Sequence, residues 1–239
     1  MTISFNEVIA RFNKNAEKLN LEGVTSYLAD RIVELPGESM KLVAVVGGAG
    51  AGKSTLAENL VEELRARGIA ADHISTDGFL RSTKYERGVI ERTLGPLAKY
   101  DFRYMKDCID KIRKGEEDIR IPTRKEGEGF AIAAGGAHYK HIQGKLDCLI
   151  VEGDFDMAEH PDLRGYLHTA DDVRLRNRIE RDARTRGESD PHKTAVSFHK
   201  RQRLQHFPYT MWSIKVANII LDAAPTGNGY HYSVYEAPA

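Results

Sequence analysis

Lys53, Ser54 and Thr55 close the run Gly47-Gly48-Ala49-Gly50-Ala51-Gly52-Lys53-Ser54-Thr55. The run fits G-x-x-x-x-G-K-[ST] and follows the apolar segment Leu42-Val43-Ala44-Val45-Val46. Glycines let successive backbone N–H groups turn inward toward one anion. In this pattern the lysine reaches the β- and γ-phosphates of a nucleoside triphosphate, and the Ser54 hydroxyl ligates magnesium. The helix expected next adds the positive end of its dipole. Leu56, Leu60 and Leu64 supply its buried stripe, and Gly68 its stop. The run is a candidate phosphate cradle, in preference to a glycine-rich turn of no function.

Phosphoryl transfer also needs charge neutralisation and a proton acceptor for the attacking hydroxyl. Asp77, in Ser75-Thr76-Asp77-Gly78-Phe79, is the general-base candidate, and Gly78 would leave room for a substrate beside it. The competing reading of Asp77 is a turn residue or helix cap. Glu152, in Ile150-Val151-Glu152-Gly153, can hold magnesium directly or through water, or be a solvated loop charge. Arg174, Arg178 and Arg181 stand at i, i+4 and i+7 and share one helical face. Guanidiniums on one face suit polyphosphate oxygens. A solvated face with internal pairs such as Glu180 with Arg184 fits the spacing equally. His192, His199 and His206 recur every seven residues, and His138 and His141 are three apart. Neither set has acidic or cysteine partners at metal spacing, so both read as structural or surface residues.

These groups need elements to hold them. Residues 4–34 are expected to be helical, with Phe5, Val8, Ile9 and Phe12 on one apolar face and Tyr27, Leu28, Ile32 and Val33 on another. Pro36-Gly37 ends that segment. From Lys41 the pattern alternates: a strand to Gly47, a helix over 53–67, and a strand near 70–76. A polar loop over 81–96 comes next, then a helix capped by Asp101 and closed by Gly115. Short β-like pieces around Gly127, Gly129 and Gly135-Gly136 suggest a hairpin over the site. A buried strand over 146–151, helices over 172–186 and 191–206, and a late strand over 217–221 follow. A turn over 226–230 precedes the tail. Such alternation predicts an α/β fold with a mostly parallel sheet flanked by helices on both faces. Ligands then bind beyond the carboxyl ends of the strands, so Gly47, Asp77 and Glu152 should face one crevice. Residues 1–39 form an N-terminal helical extension of the same domain, and 40–239 the main domain.

Composition narrows the partners. The chain of 239 residues balances 35 Lys+Arg against 35 Asp+Glu, which favours neither nucleic acid nor a membrane surface. Cys108 and Cys148 lack metal or disulfide-framework spacing and suit a reducing cytoplasm. Residues 1–10 lack a basic n-region and an apolar h-region, so no signal peptide is expected. No apolar run approaches the length of a membrane span.

Several segments, in order, resemble the uridine kinase–phosphoribulokinase–pantothenate kinase family of P-loop kinases. They are GGAGAGKST at 47–55, STDGFL at 75–80, LIVEGDF at 149–155, DVRLRNRIERDARTRG at 172–187 and ANIILDA at 217–223. The phosphate loop is generic; its combination with the arginine-rich segment is far more specific. The resemblance implies the P-loop three-layer fold with an arginine-rich lid. It implies an ATP-dependent kinase acting on a small-molecule hydroxyl, in frequent dimers or tetramers. Asp77 would be the base, with Ser54, Asp77 and Glu152 around Mg2+ and Arg174, Arg178 and Arg181 in the lid. The departures fall on the acceptor side. Leu80 follows Phe79 where uridine kinases carry an aromatic residue, and Thr93-Leu94-Gly95-Pro96 lacks their ribose-binding aspartate. Ile121-Pro122-Thr123-Arg124 replaces their Y-D-F segment. The DGF form points as much to pantothenate-like or sugar acceptors, and Arg124 and Lys125 suit an anionic group.

The alternative is a nucleotide-dependent regulatory module. It expects N-K-x-D, and the nearest stretch, Asn13-Lys14-Asn15-Ala16, lacks the aspartate and precedes the phosphate loop. The transporter signature L-S-G-G-Q is absent. A nucleoside-monophosphate kinase is a nearer alternative, for which Arg124 is the one supporting residue.

Overall fold

The computed structural model describes residues 4–80, 89–91, 93–125, 129–130, 138–156, 158–186 and 188–238. A short helix α1 (Phe5–Ile9) opens the chain, held by a capping box in which Ser4 and Glu7 exchange side chain-to-backbone hydrogen bonds. Residues Asn13–Leu19 then form a strand, β1, where helix was expected. It pairs antiparallel with the C-terminal strand at the sheet's edge, with a register shift between Lys14 and Lys18. An edge strand needs no alternating apolar pattern, and edge lysines deter further pairing, so β1 carries little strand signal. Asn20 caps α2 (Leu21–Val33), which buries Val24, Leu28 and Ile32 while Val33 stays exposed.

The P-loop unit follows: β2 (Lys41–Gly47), α3 (Lys53–Ala66) and β3 (Ala71–Ser75). Asp101 caps α4 (Phe102–Lys114) by accepting from the Tyr104 N–H, and Gly115 ends it at φ +69°. The excursion after α4 comprises β4 (Ile119–Pro122), β5 (Arg124–Lys125), β6 (Gly129–Phe130) and β7 (Tyr139–Ile142). β4 pairs antiparallel with β7, and β5 with β6. The expected turns at Gly127 and Gly135-Gly136, residues 81–88 of the polar loop, and the side chains of Arg124 and Lys125 lie outside the described set. The chain continues through β8 (Cys148–Gly153), β9 (Leu163–Thr169), α5 (Asp171–Arg186) and α6 (Pro191–Arg201). A π-helical segment, Gln202–Thr210, leads toward β10 (Ile219–Thr226) and β11 (Gly229–Glu236).

Seven strands make the main sheet in the order β1-β11-β10-β9-β2-β8-β3. From β10 to β3 every pairing is parallel; β11 and β1 add an antiparallel margin. Alternation along β2 sorts the core into two layers. Leu42, Ala44 and Val46 pack with Met105, Cys108 and Ile112 of α4 on one face. Val43 and Val45 pack with Leu28 of α2 and Leu56, Leu60 and Leu64 of α3 on the other. The result is a three-layer α/β fold with helices on both faces of a mostly parallel sheet. β9 has no strand expectation in sequence because Gly165 interrupts it and it carries polar inward groups. Arg164 pairs with Asp156 at 2.8 Å, and His168 stacks on Phe5. No described helix is long and apolar enough to cross a membrane.

Candidate active site

β2 stops at Gly47, and the chain turns through Gly48–Gly52 before α3 begins at Lys53. The loop is seated on the first turn of α5. A Cβ on Gly48 would lie 2.0 Å from the Arg174 guanidinium. Gly50, at φ +84°, has the Arg174 carbonyl 2.5 Å from where a Cβ would be, so no other residue fits there. The Asn177 amide donates to the Gly50 carbonyl at 3.0 Å. Ala49, Gly50, Ala51, Gly52, Lys53, Ser54 and Thr55 all line one cavity of about 970 Å³. Gly47 and Gly48 do not: Gly48 packs on Arg174, and Gly47 serves the close packing of β2 on β9, where a Cβ would meet the Leu167 carbonyl at 2.4 Å.

Register brings the acidic residues to the same mouth. Glu152 pairs with Val45 of β2 on one side and with Ser75 of β3 on the other. Ser54 Oγ donates to Glu152 Oε1 at 3.2 Å. Asp77 lies in the 3-10 turn just past β3 and lines the cavity. Two glycines permit this convergence. A Cβ on Gly153 would sit 2.1 Å from Thr76 Oγ1, and one on Gly78 would sit 1.9 Å from the Pro122 carbonyl. Gly78 therefore serves the packing of Asp77's turn against the end of β4, not substrate room. Leu80, at the acceptor-side departure, is buried and bridges to Tyr100.

Asp154 is a site residue that sequence spacing did not single out. Lys53 Nζ donates to the Gly48 carbonyl at 3.1 Å and pairs with Asp154 Oδ1 at 3.0 Å. Burial would raise the Asp154 carboxyl, but Lys53 and Arg201 hold it below the usual carboxylate range. Glu152 is shifted the other way. Burial pushes it up, as do the charges of Asp77 and Asp154, against opposing pulls from Lys53 and the Ser75 hydroxyl. The only earlier signal for Asp154 is its place two residues beyond Glu152.

The three arginines expected on one face part company. Arg174 is buried, donating to the Thr169 carbonyl at 3.1 Å and pairing with Asp171 at 2.5 Å, over the Phe198 ring. Arg178 is also buried, beside Asp182 and Ser197, where burial lowers it to about 10. Neither lines the large cavity. Arg181 does, together with Arg184 and Arg201. Arg184 repeats Arg181's face one turn on; Arg201, at the end of α6, has no spacing signal at all. His206 is buried below the loop and lowered to about 3 by burial and by Arg174. His192 and His199 are exposed.

No group of three or more His, Cys, Asp or Glu among the described residues makes a protein-only metal cage. Magnesium does not need one: it takes one or two carboxylates plus substrate phosphates and water. The hydroxyl of Ser54 beside the buried carboxylate of Glu152 is an oxygen donor set of that kind.

Fold and cradle together define an α/β protein of the P-loop class, with its glycine-rich loop at the carboxyl edge of the sheet. Comparison with known proteins narrows the class. The model of the "Phosphoribulokinase / Uridine kinase family" matches residues 42–227, so the chain belongs to that family of small-molecule kinases. It is 28% identical to the uridine kinase of Clostridium novyi (strain NT) over 61% of this chain and 70% of that one. It is 24% identical to uridine-cytidine kinase A of Dictyostelium discoideum over 61% of this chain, but that match spans only 29% of the relative's length. Among solved structures, D-glycerate 3-kinase from Cryptococcus neoformans var. grubii superposes with a TM-score of 0.60 at 12% identity. That superposition covers 84% of this chain and 94% of that one, a likeness of fold alone.

Proposed function

We propose that this chain transfers the γ-phosphoryl group of ATP, with Mg2+, to an alcohol group of a small metabolite. The observation that carries the reading is the convergence of Lys53, Ser54, Glu152 and Asp77 on one cavity. At about 970 Å³ that cavity has room for a nucleotide and a second, small molecule. The backbone N–H groups of 49–53 and the Lys53 ammonium hold the phosphates. Ser54 and Glu152 hold the cation, which when bound neutralises charge on the β- and γ-oxygens. Asp77 accepts the proton of the attacking hydroxyl. Arg181, Arg184 and Arg201 face the same space and stabilise the transferring charge.

Nucleosides, pantothenate-like compounds and sugars are the acceptor classes to test. The uridine kinase relatives favour a nucleoside. The missing ribose-binding aspartate and the presence of Pro122 and Thr123 at the cavity favour a differently shaped alcohol. A coupled ADP-release screen across nucleosides, pantothenate, sugars and sugar phosphates decides among them. Acceptor-dependent turnover supports the reading. ATP hydrolysis that no hydroxyl compound stimulates moves the assignment to a nucleotide-dependent regulatory module.

A further inference from the structure

The Asp77 side of the cavity carries a cation with no part in the phosphoryl transfer proposed above. Lys140 stands on β7 directly opposite Ile121 of β4, and both line the cavity. The two strands are fastened to the Asp77 side of the sheet at two places. At one, Gly78 of the Asp77 turn packs on the Pro122 carbonyl. At the other, the Lys140 ammonium donates to the Asp72 carboxylate and, at 3.0 Å, to the His73 carbonyl. An ammonium has three donors, and the third meets no acceptor among the described residues. The side chain is 31% exposed, so that donor is open to a ligand.

Charge at this corner does not cancel. The buried carboxylate of Asp72 is shared between Lys140 and the Arg65 guanidinium at 3.8 Å. Two cations on one carboxylate leave a net positive charge beside the cavity. His73, on the same wall, does not alter that balance. Burial and the charge of Lys140 hold its imidazole below its ordinary value, so it is neutral at pH 7. From residue 73, two steps of strand and two of 3-10 turn carry the backbone about 10 Å further to residue 77. Lys140 therefore stands away from the reacting atoms, toward the far end of an acceptor whose hydroxyl meets Asp77. Tethered by two hydrogen bonds, its ammonium gives up little freedom on meeting an anion. We propose that the acceptor is an anionic alcohol: its hydroxyl meets Asp77, and a carboxylate or phosphate at its other end takes the open donor of Lys140. The proposal rests on the kinase reading above and narrows its acceptors to sugar phosphates and pantothenate-like acids, against neutral nucleosides and sugars.

Its test pairs each anionic alcohol with a neutral counterpart of the same skeleton: sugar phosphates with their parent sugars, and pantothenate with its amide. Steady-state ADP release is measured in the parent chain, in Lys140→Met and in Lys140→Arg. The parent chain should prefer the anionic member by about 10–100-fold in kcat/KM, chiefly through KM, as one charge-assisted hydrogen bond does. The pair that shows the preference distinguishes phosphate from carboxylate. Lys140→Met should lose the preference by a raised KM for the anionic member alone, with kcat kept. Lys140→Arg, which keeps the charge, should restore most of it. The proposal is overturned if the parent chain prefers the neutral members. It is overturned equally if Lys140→Met weakens both members alike, which is the mark of a strap between β7 and β3. Should Lys140→Met fail to fold, the parent chain's own preference decides. A preference for neutral alcohols leaves the kinase reading standing, whereas a chain that phosphorylates no alcohol of either kind loses both readings together.

Discussion

Lys53 Nζ lies 3.0 Å from Asp154 Oδ1, so the ammonium proposed to meet the phosphates is already held by a carboxylate. Both side chains are largely buried, with 9% and 17% of their surface exposed. In the proposed function the pairing competes with the phosphates for Lys53, and its burial makes it a candidate stabilising contact of the loop. Asp154→Asn should bind ATP more tightly, about fivefold or roughly 1 kcal/mol. It should also fold less stably, by about 1–3 kcal/mol at neutral pH. The sign of the pH dependence follows from the lowered Asp154 carboxyl. The stability that it contributes is present above the unfolded carboxylate value of about 3.9 and is lost as pH falls through the lower folded value. Urea unfolding at pH 7 and near pH 3 should show the gap between parent and variant closing in acid. A gap that stays constant would count against the ion pair as its source.

Glu152 makes the opposite prediction. Its carboxyl is raised in the folded chain, chiefly by burial, so its ionised form is a burden above the ordinary carboxylate range. The favourable contribution is present below the unfolded value and disappears as pH rises through the folded one. Glu152→Gln should therefore raise the melting temperature of the nucleotide-free chain at neutral pH by a few degrees, and phosphoryl transfer should collapse with the loss of the proposed cation ligand. Calorimetry beside a turnover assay reads both effects. A variant that melts lower than the parent would show that Glu152 is a structural partner of Ser54 first.

How far the sequence alone reveals these relationships differs along the chain. The cradle, α3, β3, β8 and the late strand are legible because their apolar periods and glycines answer to local geometry. β1 is not, because an edge strand paired on one side needs no alternation. β9 is hidden by Arg164 and His168, whose partners Asp156 and Phe5 are distant or come from another element. In the site, Asp77 and Glu152 are legible as strand ends. Asp154 and Arg201 are not, because their role depends on where side chains meet across elements. The arginine face is half legible: spacing puts Arg174, Arg178 and Arg181 on one side of α5 without showing that the first two point into the body of the protein.

Asp77 is half-buried at the cavity wall, in a turn fixed by neighbouring strands and by the packing of Gly78. As the general base, its replacement by asparagine should cut kcat by about 10²–10⁴-fold and leave ATP affinity within about twofold. Single-turnover kinetics with the acceptor found by screening, alongside ATP titration, separates these quantities. A variant with full turnover would remove Asp77 from the proton-transfer role.

Gly78 distinguishes two reasons for a glycine beside the proposed base. A Cβ there would come within 1.9 Å of the Pro122 carbonyl, a backbone atom that cannot swing aside. Gly78→Ala should lower stability by about 1–3 kcal/mol through overpacking, with or without ligands. Chemical denaturation of the nucleotide-free chain is the measurement. An unchanged midpoint with a raised acceptor KM would instead assign the glycine to substrate room.

Arg174 and Arg181 share a helix face in the sequence and should nonetheless give opposite phenotypes. Arg174 is 2% exposed and holds the Thr169 carbonyl, Asp171 and the Phe198 ring beneath the phosphate loop. Removing it strands those groups and opens space under Gly48, so Arg174→Ala should cost about 2–4 kcal/mol of stability. Arg181 reaches the cavity, with Asp182 as its ion-pair partner at 3.1 Å, and 36% of its side chain is exposed. Arg181→Ala should melt within a degree or two of the parent and yet lose about 10²-fold in kcat, as removal of a charge-stabilising donor does. Thermal melts and steady-state kinetics on the same two variants decide the matter. Comparable losses of stability in both, or a fully active Arg181→Ala, would mean that the arginine face is scaffold throughout.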